Sequence, residues 1–206
     1  MRVRTEQKRR EIVQAACELF EQQGYDRTSM SQISERVGGS KATLYGYFSS
    51  KEELLRAVLD YDVGEAADHA MTAFLAMDDL REGLIRLGVA YLQRRLSSLP
   101  IANIRIVANQ PQDSTMGKEF YESVLRPAWK RLAARFEALM DAGKLKRADP
   151  WIVTMHWKGL NEWDMFERRL LGALSGPEPK LIETVARSAA DAFLQLYGAE
   201  PKRPGK

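Results

Sequence analysis

The sequence is poor in the residues that build disulfides and metal sites. Cys17 is the single cysteine among 206 residues, which excludes an internal disulfide and a multi-cysteine zinc site. The two histidines, His69 and His156, are far apart, and neither HExxH nor His-x3-His spacing occurs. No nucleophile–base pair and no phosphate-binding loop stands out either. We therefore expect no catalytic residue, no metal and no cofactor, and a protein that is not an enzyme.

Long hydrophobic runs are also missing. No apolar stretch approaches the roughly 18 residues that a transmembrane helix needs. Residues 1–10 are charged and lack the apolar core of a signal peptide. We expect a cytoplasmic protein with no membrane attachment. Apolar residues make up 45% of the chain and charged residues 29%, as in a folded globular protein, which argues against disorder.

The excess of positive charge is small but unevenly placed. The chain has 31 Lys and Arg against 28 Asp and Glu, a net charge of +3 that does not by itself indicate a nucleic-acid binder. Residues 1–51 hold nine basic and six acidic residues, whereas 52–206 hold 22 of each. Five of the basic residues fall within 2–10. They could form a flexible basic arm that lies beside DNA, or an arm that has no specific role.

Apolar residues recur at spacings of three and four nearly everywhere, which predicts an all-α fold of about nine helices. The first helix is expected at 5–23, ended by Gly24. The second begins at Ser29, where Ser29 and Gln32 fit a capping box. Gly38 and Gly39 end it, and Ser40 caps a third helix at about 41–47. A fourth begins after Ser50 and extends to about residue 77.

Five further helices are expected at about 79–98, 101–109, 114–141, 150–171 and 179–197. Pro127 should kink or split the third of these, because proline lacks a backbone donor and clashes one turn back. Asp149 and Pro150 form a strong helix start. The predicted domains are a helix-turn-helix domain at 1–51, a helical body at 52–200 and a flexible tail at 201–206.

The second and third helices have the layout of a helix-turn-helix. Ser34 is small enough for a close crossing, and Leu44 anchors the third helix inward. Small residues on the outward face, Ala42 and Gly46, would let this helix enter a major groove. Its polar outward residues are Lys41, Thr43, Tyr45 and Tyr47, of which Lys41 and Tyr45 share one face. The tyrosines could instead be half-buried core aromatics, and Lys41 an ordinary solvated lysine.

The residues of the first three helices and the start of the fourth resemble a known family. The pattern that carries the resemblance is Arg10-x-Ile12-x-x-Ala15-Ala16-x-x-Leu19-Phe20, Gly24-Tyr25, Thr28-Ser29-Met30 and Ser40-Lys41-x-Thr43-Leu44-Tyr45-x-Tyr47-Phe48-x-x-Lys51. It is similar to the DNA-binding domain of TetR-type transcriptional regulators over about residues 8–60. Two positions depart from that family's pattern: Ser34, where alanine is usual, and Gly39, where a β-branched apolar residue is usual. Gly39 is therefore expected to loosen the turn and to remove a core contact.

The resemblance implies a homodimer of all-helical subunits, each with a three-helix head that binds double-stranded operator DNA and a larger body that binds a small-molecule inducer. It implies backbone contacts at the start of helix two, base and backbone contacts from the third helix, phosphate contacts from Tyr45 and Tyr47, and a phosphate clamp at Lys51. The DNA-binding residues are then Thr28, Ser29, Met30, Ser40, Lys41, Ala42, Thr43, Tyr45, Gly46, Tyr47 and Lys51. A weaker resemblance, between residues 120 and 172, indicates the AcrR/AefR-like branch.

Two further sets of residues, both in the body, are candidates for a ligand pocket and for a dimer interface. A ligand pocket is mostly apolar with a few polar groups, and the candidates are Phe74, Tyr91, Arg105, Asn109, Phe120, Tyr121, Trp129, His156, Asn161 and Trp163. The helix at 150–171 is apolar around most of its circumference, so we expect more than one of its faces to be buried. With the last helix it would form a dimer interface through Trp157, Leu160, Asp164, Leu171, Leu181, Val185, Ala189, Ala192 and Leu196. Plain core packing is the alternative for both sets.

The sequence therefore predicts a ligand-responsive DNA-binding regulator, a repressor rather than an activator. It would bind a palindromic operator as a homodimer and be released by a small, mostly apolar or aromatic inducer. Helix four, as the one element joining head and body, would carry the shift between them. The alternative is a helical ligand-binding or interaction protein without sequence-specific DNA binding.

Overall fold

The structure, a computed structural model, describes residues 5–59, 61, 74, 77–111, 113–176 and 178–199. Within these residues the regular structure is helical, apart from an isolated antiparallel bridge between Leu145 and Gly198. The all-α prediction is confirmed. Most of the predicted fourth helix after residue 59 lies outside the described residues, although 61 and 74 are helical and 77 is not, and so does the predicted tail at 201–206.

The first three helices begin and end where the sequence predicts. Helix α1 spans Glu6–Gln23, α2 spans Met30–Arg36 and α3 spans Lys41–Tyr47. Ser29 and Gln32 form the predicted capping box, and the Ser40 hydroxyl accepts from the backbone N–H of Thr43. Residues 51–59 are helical and form the described part of α4. Caps of this kind depend on neighbouring residues only, which is why the sequence reveals them.

Proline divides the predicted helix at 114–141. Helix α5 spans Leu80–Arg95, α6 spans Ser98–Ala108, and α7 spans Met116–Phe120. A π-helical turn at Tyr121–Leu125 follows, and α8 spans Arg126–Asp141 with Pro127 in its first turn. The expected interruption at Pro127 is confirmed. Proline provides no N–H for the preceding turn, and the backbone there takes the wider π-helical spacing.

The prediction of one continuous helix at 150–171 is wrong, because the structure has two helices there. Helix α9 spans Pro150–Glu162 and α10 spans Met165–Leu170. Between them Trp163 has a φ of 47°, outside helical geometry. Helix α9 starts as predicted, since the Asp149 carboxylate accepts from the backbone N–H groups of its first turn. Helix α11 spans Pro179–Tyr197. The described residues thus hold more helices than the nine expected.

The chain divides into two compact units. The first comprises Met1–Glu65 and Ser98–Val124, and the second comprises Ala66–Ser97 and Leu125–Lys206. In the first unit α6 packs against α1, and Arg56 of α4 forms an ion pair with Glu119 of α7 at 3.0 Å. Helix α4 is therefore not the one element of the body in contact with the head. The domain boundary predicted after residue 51 stays a prediction.

The core of the second unit lies where α5, α8, α9 and α11 meet. Helix α11 packs on α5 and α9, and α8 packs on α9. Aromatic side chains fill this centre, with Phe136, Trp157 and Phe193 at most 2% exposed. Over the ranges that the structure describes, none of the helices has the length and apolar character to cross a membrane.

Candidate nucleic-acid interface

Helix α3 is held on the head by two buried side chains. Leu44 is 3% exposed and Phe48 is 2% exposed, and α3 packs against α2, whose Ile33 is also buried. Burying one face of so short a helix leaves the other face outward. The predicted inward anchor at Leu44 is confirmed.

The turn between α2 and α3 is closed by the two residues that depart from the TetR pattern. The Ser34 hydroxyl donates to the Gly39 carbonyl at 2.7 Å, and the Gly39 N–H donates to the Ser34 carbonyl at 3.1 Å. Gly38 takes the left-handed conformation in between, with a φ of 67°. A Cβ on Gly39 would meet no heavy atom within 4 Å, so the expected loss of a core contact is wrong: this position faces open space. The hydroxyl of Ser34 instead ties down the turn that Gly39 loosens.

The outward face of α3 carries polar groups that reach beyond the head. Lys41 and Ala42 are exposed, and the Tyr45 side chain is 51% exposed. That exposure argues against the alternative of Tyr45 as a core aromatic. Thr43, Gly46 and Tyr47 are half-buried, and Ser40 and Thr43 share a hydrogen bond of 2.9 Å. These residues lie together as predicted, although their contact with DNA stays a prediction.

Tyr47 also links α3 to the start of α1. Its hydroxyl accepts from the backbone N–H of Thr5, the N-cap of α1, at 3.0 Å. The hydroxyl keeps its own hydrogen for another acceptor. Tyr47 therefore has a structural role and still presents a donor.

Fewer side chains at the start of α2 are available for contact with DNA than the sequence predicts. Thr28 is 2% exposed, and its hydroxyl donates to the Gly24 carbonyl at 2.8 Å. Met30 is 9% exposed, and Ser29 is engaged with Gln32 in the capping box. The structure brings these residues together, but a DNA contact from Thr28 or Met30 would have to use backbone groups, because the side chains face the head.

The described part of the basic arm belongs to α1. Lys8 pairs with Glu11 at 2.9 Å and donates to the Val37 carbonyl at 3.2 Å. The Arg9 guanidinium lies 5.2 Å from the centre of the Phe48 ring. The expectation of a flexible arm is therefore wrong for residues 8–10, and Arg2 and Arg4 lie outside the described residues.

Lys51 is held by the protein itself. Its ammonium donates to the Tyr25 carbonyl at 2.9 Å and to the Thr28 carbonyl at 3.1 Å, and lies 4.1 Å from the centre of the Tyr25 ring. Tyr25 packs edge-on against Phe20, with ring centres 5.2 Å apart. Burial, together with the negative charge of Glu52, raises the pKa of Tyr25 to about 12.

The candidate ligand residues are divided between the two units. Arg105, Asn109, Phe120 and Tyr121 belong to the first unit, and the other six belong to the second. In the second unit the Tyr91 ring contacts Trp129 and Trp157, with ring centres 5.7 and 5.2 Å apart. Phe74 and Asn161 are buried. Trp163 is 51% exposed, and His156 is exposed beside the Tyr197 hydroxyl, so these two are not part of the aromatic group.

Sequence reasoning missed a buried polar cluster at the end of α9. Glu162 is 7% exposed and accepts from the Tyr91 hydroxyl at 2.5 Å, from Arg95 at 3.0 Å and from Lys158 at 2.5 Å. Burial acts to raise the pKa of Glu162, but the hydrogen bonds from Lys158 and Tyr91 and the charge of Arg95 outweigh it, and the pKa is lowered. The pKa of Tyr91 is raised well above its ordinary value, chiefly by burial. The spacing of Lys158 and Glu162 in an apolar helix was the signal for this cluster.

An open groove of about 460 Å³ lies between α8 and the start of α9. Its lining includes Arg126, Lys130 and Trp151, and none of the candidate ligand residues contributes to it. The predicted ligand set therefore does not describe this groove.

Burial changes the set of residues available to a partner subunit. Trp157, Val185 and Ala189 are at most 2% exposed and pack inside their own subunit, so a partner cannot reach them. The other six dimer candidates are at least partly exposed: Leu160, Asp164, Leu171, Leu181, Ala192 and Leu196. A second α9 face, missed in the sequence, carries exposed residues at spacings of three and four, namely Ile152, His156 and Gly159, and the exposed Trp163 directly follows the helix.

Two family models match this chain. The model for bacterial regulatory proteins of the tetR family matches residues 12–58, and the model for the C-terminal domain of AefR-like transcriptional repressors matches 82–199. The chain belongs to the TetR family. It is therefore a DNA-binding transcriptional regulator, as the resemblance implied.

The relatives that match by sequence align mainly over the head. The transcriptional repressor ComR of Escherichia coli is 43% identical over 60 residues, 29% of either chain. The transcriptional activator FasR of Mycolicibacterium smegmatis is 36% identical over 83 residues, 40% of this chain and 38% of FasR. The chain thus spans less than half the length of these curated relatives.

Whole-length similarity is found among solved structures. A TetR-family regulator from Mesorhizobium loti superimposes with a TM-score of 0.86 at 26% identity, over 96% of this chain and 100% of that chain. The flavonoid-responsive regulator FrrA superimposes with a TM-score of 0.67 at 27% identity, over 97% and 100%.

Proposed function

We propose that this TetR-family regulator is a homodimeric repressor that binds a palindromic operator through α3 and is released by a small apolar or aromatic ligand. The observation that carries the proposal is the outward face of α3. Lys41 and Tyr45 project from a helix whose opposite side is fixed by Leu44 and Phe48. A firmly seated helix with outward donors is what reading base edges in a major groove requires.

The DNA contacts proposed are those of the predicted set that present a free group. Lys41 would contact bases or phosphates, and Tyr45 and Tyr47 would donate hydroxyl hydrogens to phosphates. Ser40, Ala42, Thr43 and Gly46 complete the surface that approaches the groove. In a two-fold dimer the two recognition helices would lie in successive major grooves, about 34–36 Å apart.

The proposed dimer interface uses the exposed face of α9. Ile152 and Trp163 are each 51% exposed, and apolar side chains of this size favour removal from water. Gly159 lies between them, where a Cβ would meet no heavy atom within 4 Å, so a second helix has room to approach. Leu196 of α11, 54% exposed, would extend the interface.

The proposed inducer binds in the second unit near Tyr91 and Trp129. Aromatic surface of this kind suits a flat apolar or aromatic molecule. FrrA, which covers this chain along nearly its whole length, is described as responsive to flavonoids, which are aromatic. We also propose that the protein acts in the cytoplasm and has no enzymatic activity.

The proposal is tested by DNA binding and by a reporter. A duplex selected from a random library by the wild-type protein, labelled with a fluorophore, gives the affinity by anisotropy. Lys41→Ala and Tyr45→Phe should each weaken binding about tenfold, the cost of one good contact, while Lys180→Ala and Tyr121→Phe leave it unchanged. Equal affinities for all five proteins would show that α3 is not the reading face.

A reporter gene placed under the operator tests the direction of regulation. Reporter expression that rises when the regulator gene is deleted identifies a repressor, and expression that falls identifies an activator, as for FasR.

A further inference from the structure

We propose that Arg95 and Lys158 form the anion-binding end of the ligand site, and that the ligand is an aromatic carboxylate. The inference rests on the proposed function, in which a small ligand binds in the second unit. It adds the chemical class of that ligand and the two side chains that would bind its acidic group.

The site lies where α5 and α9 face each other with polar residues one turn apart. Tyr91 and Arg95 are four residues apart on α5. Lys158 and Glu162 are four residues apart on α9, and this spacing places each pair on one helix face. One carboxylate oxygen of Glu162 accepts from the Tyr91 hydroxyl at 2.5 Å and from Arg95 Nε at 3.0 Å. The other oxygen accepts from the Lys158 ammonium at 2.5 Å, so both oxygens are already engaged.

The charges of this cluster do not balance. Arg95 and Lys158 bring two positive charges, and among the residues that the structure describes Glu162 is the one carboxylate that pairs with them. Burial opposes the ionisation of Glu162, but the hydrogen bonds from Lys158 and Tyr91 lower its pKa, so the group is ionised at neutral pH. Burial raises the pKa of Tyr91, which is therefore neutral. One positive charge is in excess, and excess charge that is largely removed from water favours an anionic partner.

Arg95 is suited to bind a carboxylate. Its guanidinium carbon lies 3.8 Å from the centre of the Phe166 ring, and this stacking holds the group in place. The bond to Glu162 uses Nε, whereas a guanidinium has five N–H donors and can bind a carboxylate with two of them in parallel. The Arg95 side chain is 15% exposed and the Lys158 side chain 28%, so an anion can reach both.

The aromatic part of the ligand follows from the surroundings of Tyr91. Its hydroxyl reaches the cluster, and its ring contacts Trp129 and Trp157, with ring centres 5.7 and 5.2 Å apart. The aromatic side chains and the two cations are therefore separated by the length of one tyrosine side chain. A ring that carries a carboxylate, directly or through a short link, matches this separation, as in benzoate and cinnamate.

Calorimetric titration of the DNA-free protein with two acids and their matching alcohols tests the proposal. The probes are benzoate and cinnamate, compared with benzyl alcohol and cinnamyl alcohol, which keep the ring and lack the charge. At least one acid should bind the wild-type protein about tenfold more tightly than its alcohol, the lower end of what a hydrogen bond to a charged group contributes. Equal affinities for acid and alcohol, or no binding of either acid at millimolar concentration, would overturn the proposal.

Substitutions assign the preference for the acid to the two cations. Arg95→Gln and Lys158→Gln each remove one positive charge and keep a hydrogen-bonding side chain. Each should weaken binding of the acid about tenfold and leave binding of the alcohol unchanged. If both folded variants lose affinity for acid and alcohol alike, the cations have a structural role only and the proposal is wrong. Arg86→Gln is the control on the same helix, because Arg86 is 66% exposed and pairs with Glu82.

Release of DNA separates this proposal from the proposed function. The same probes are added to the wild-type protein bound to the labelled duplex, and the fall in anisotropy reports release, which we expect from the acids. Acids that bind through Arg95 without releasing the duplex would support the site and show that the proposed release is wrong. Alcohols that release the duplex as well as the acids do would support a ligand-released regulator and overturn the requirement for an acid.

Discussion

The side-chain oxygen Oδ1 of Asn161 on α9 fills the space where a Cβ of residue 88 on α5 would lie, and residue 88 is glycine. The Ala186 methyl group of α11 lies 3.2 Å from the same point. The amide nitrogen of Asn161 donates to the Trp157 carbonyl at 2.9 Å, which fixes the direction of the side chain. Gly88 therefore permits the close approach of three helices in the second unit.

Gly88→Ala should lower the free energy of unfolding by about 1–3 kcal/mol, the usual cost of overpacking. The added methyl group must displace Asn161, whose amide is hydrogen-bonded, or separate α5 from α11. Urea unfolding followed by circular dichroism measures the change. Gly117→Ala is the control, because its Cβ would lie at an ordinary 3.7 Å from Val107 and should not destabilise. Combining Gly88→Ala with Asn161→Ala should recover part of the loss; simple additivity would contradict the explanation.

The sequence predicted those elements of the fold that depend on neighbouring residues. The capping box at Ser29, the caps at Ser40 and Asp149 and the interruption at Pro127 are all local features. The break at Trp163 is not local. It follows a helix end whose Glu162 binds Tyr91 and Arg95, residues about 70 positions earlier, and no periodicity within 150–171 could reveal it.

The candidate sites were predictable to a lesser extent. The outward face of α3 follows from the spacing of Leu44 and Phe48, so Lys41 and Tyr45 lie where expected. Helix α9 is apolar on most sides, and the pattern could not show that Trp157 faces its own core while Trp163 faces solvent. The resemblance placed Lys51 at the right position in the fold but could not show its bonds to carbonyls.

Gly39→Ala should stabilise the head by roughly 0.4–1 kcal/mol. Its φ lies outside the left-handed region and an added Cβ meets open space, so the substitution mainly reduces the entropy of the unfolded chain. Thermal unfolding measures the gain. Gly38→Ala is the matched control: with a φ of 67° it should destabilise by about 1 kcal/mol or more. Equal effects at both positions would show that the turn geometry is different.

Ser34→Ala should cost about 0.5–1.5 kcal/mol, the net value of the hydrogen bond to the Gly39 carbonyl. Because that bond restrains a glycine, the loss of unfolding free energy should be smaller when alanine at position 39 already restricts the backbone. A double-mutant cycle of Ser34→Ala with Gly39→Ala measures this coupling in the unfolding free energy. Coupling of zero would mean that the two residues contribute independently, against the compensation inferred from their contact.

Glu162→Gln should destabilise the second unit by about 2–4 kcal/mol at pH 7, because Arg95 and Lys158 lose the charge that balances them. The pKa of Glu162 is lowered in the folded protein. Its stabilising contribution is therefore complete above the unfolded value of about 4.3 and is lost as pH falls through the folded pKa. The difference between wild type and variant should shrink below about pH 4.5. Glu183→Gln, which affects an exposed pair with Arg187, should cost less than about 0.5 kcal/mol at any pH.

Ile152→Glu should convert the proposed dimer to monomer with little effect on the fold of each subunit. The side chain is 51% exposed and lies on the exposed face of α9, so a charge there is solvated in the monomer but would be buried in the proposed interface. Sedimentation velocity over a range of concentrations measures the dimer dissociation constant, which should rise at least a hundredfold. Leu171→Glu, at a side chain 82% exposed beyond α10, is the control for added charge.

Val185→Glu should instead unfold the subunit, because Val185 is buried within its own core. A dimer that survives Ile152→Glu and dissociates with Leu171→Glu would move the interface away from α9.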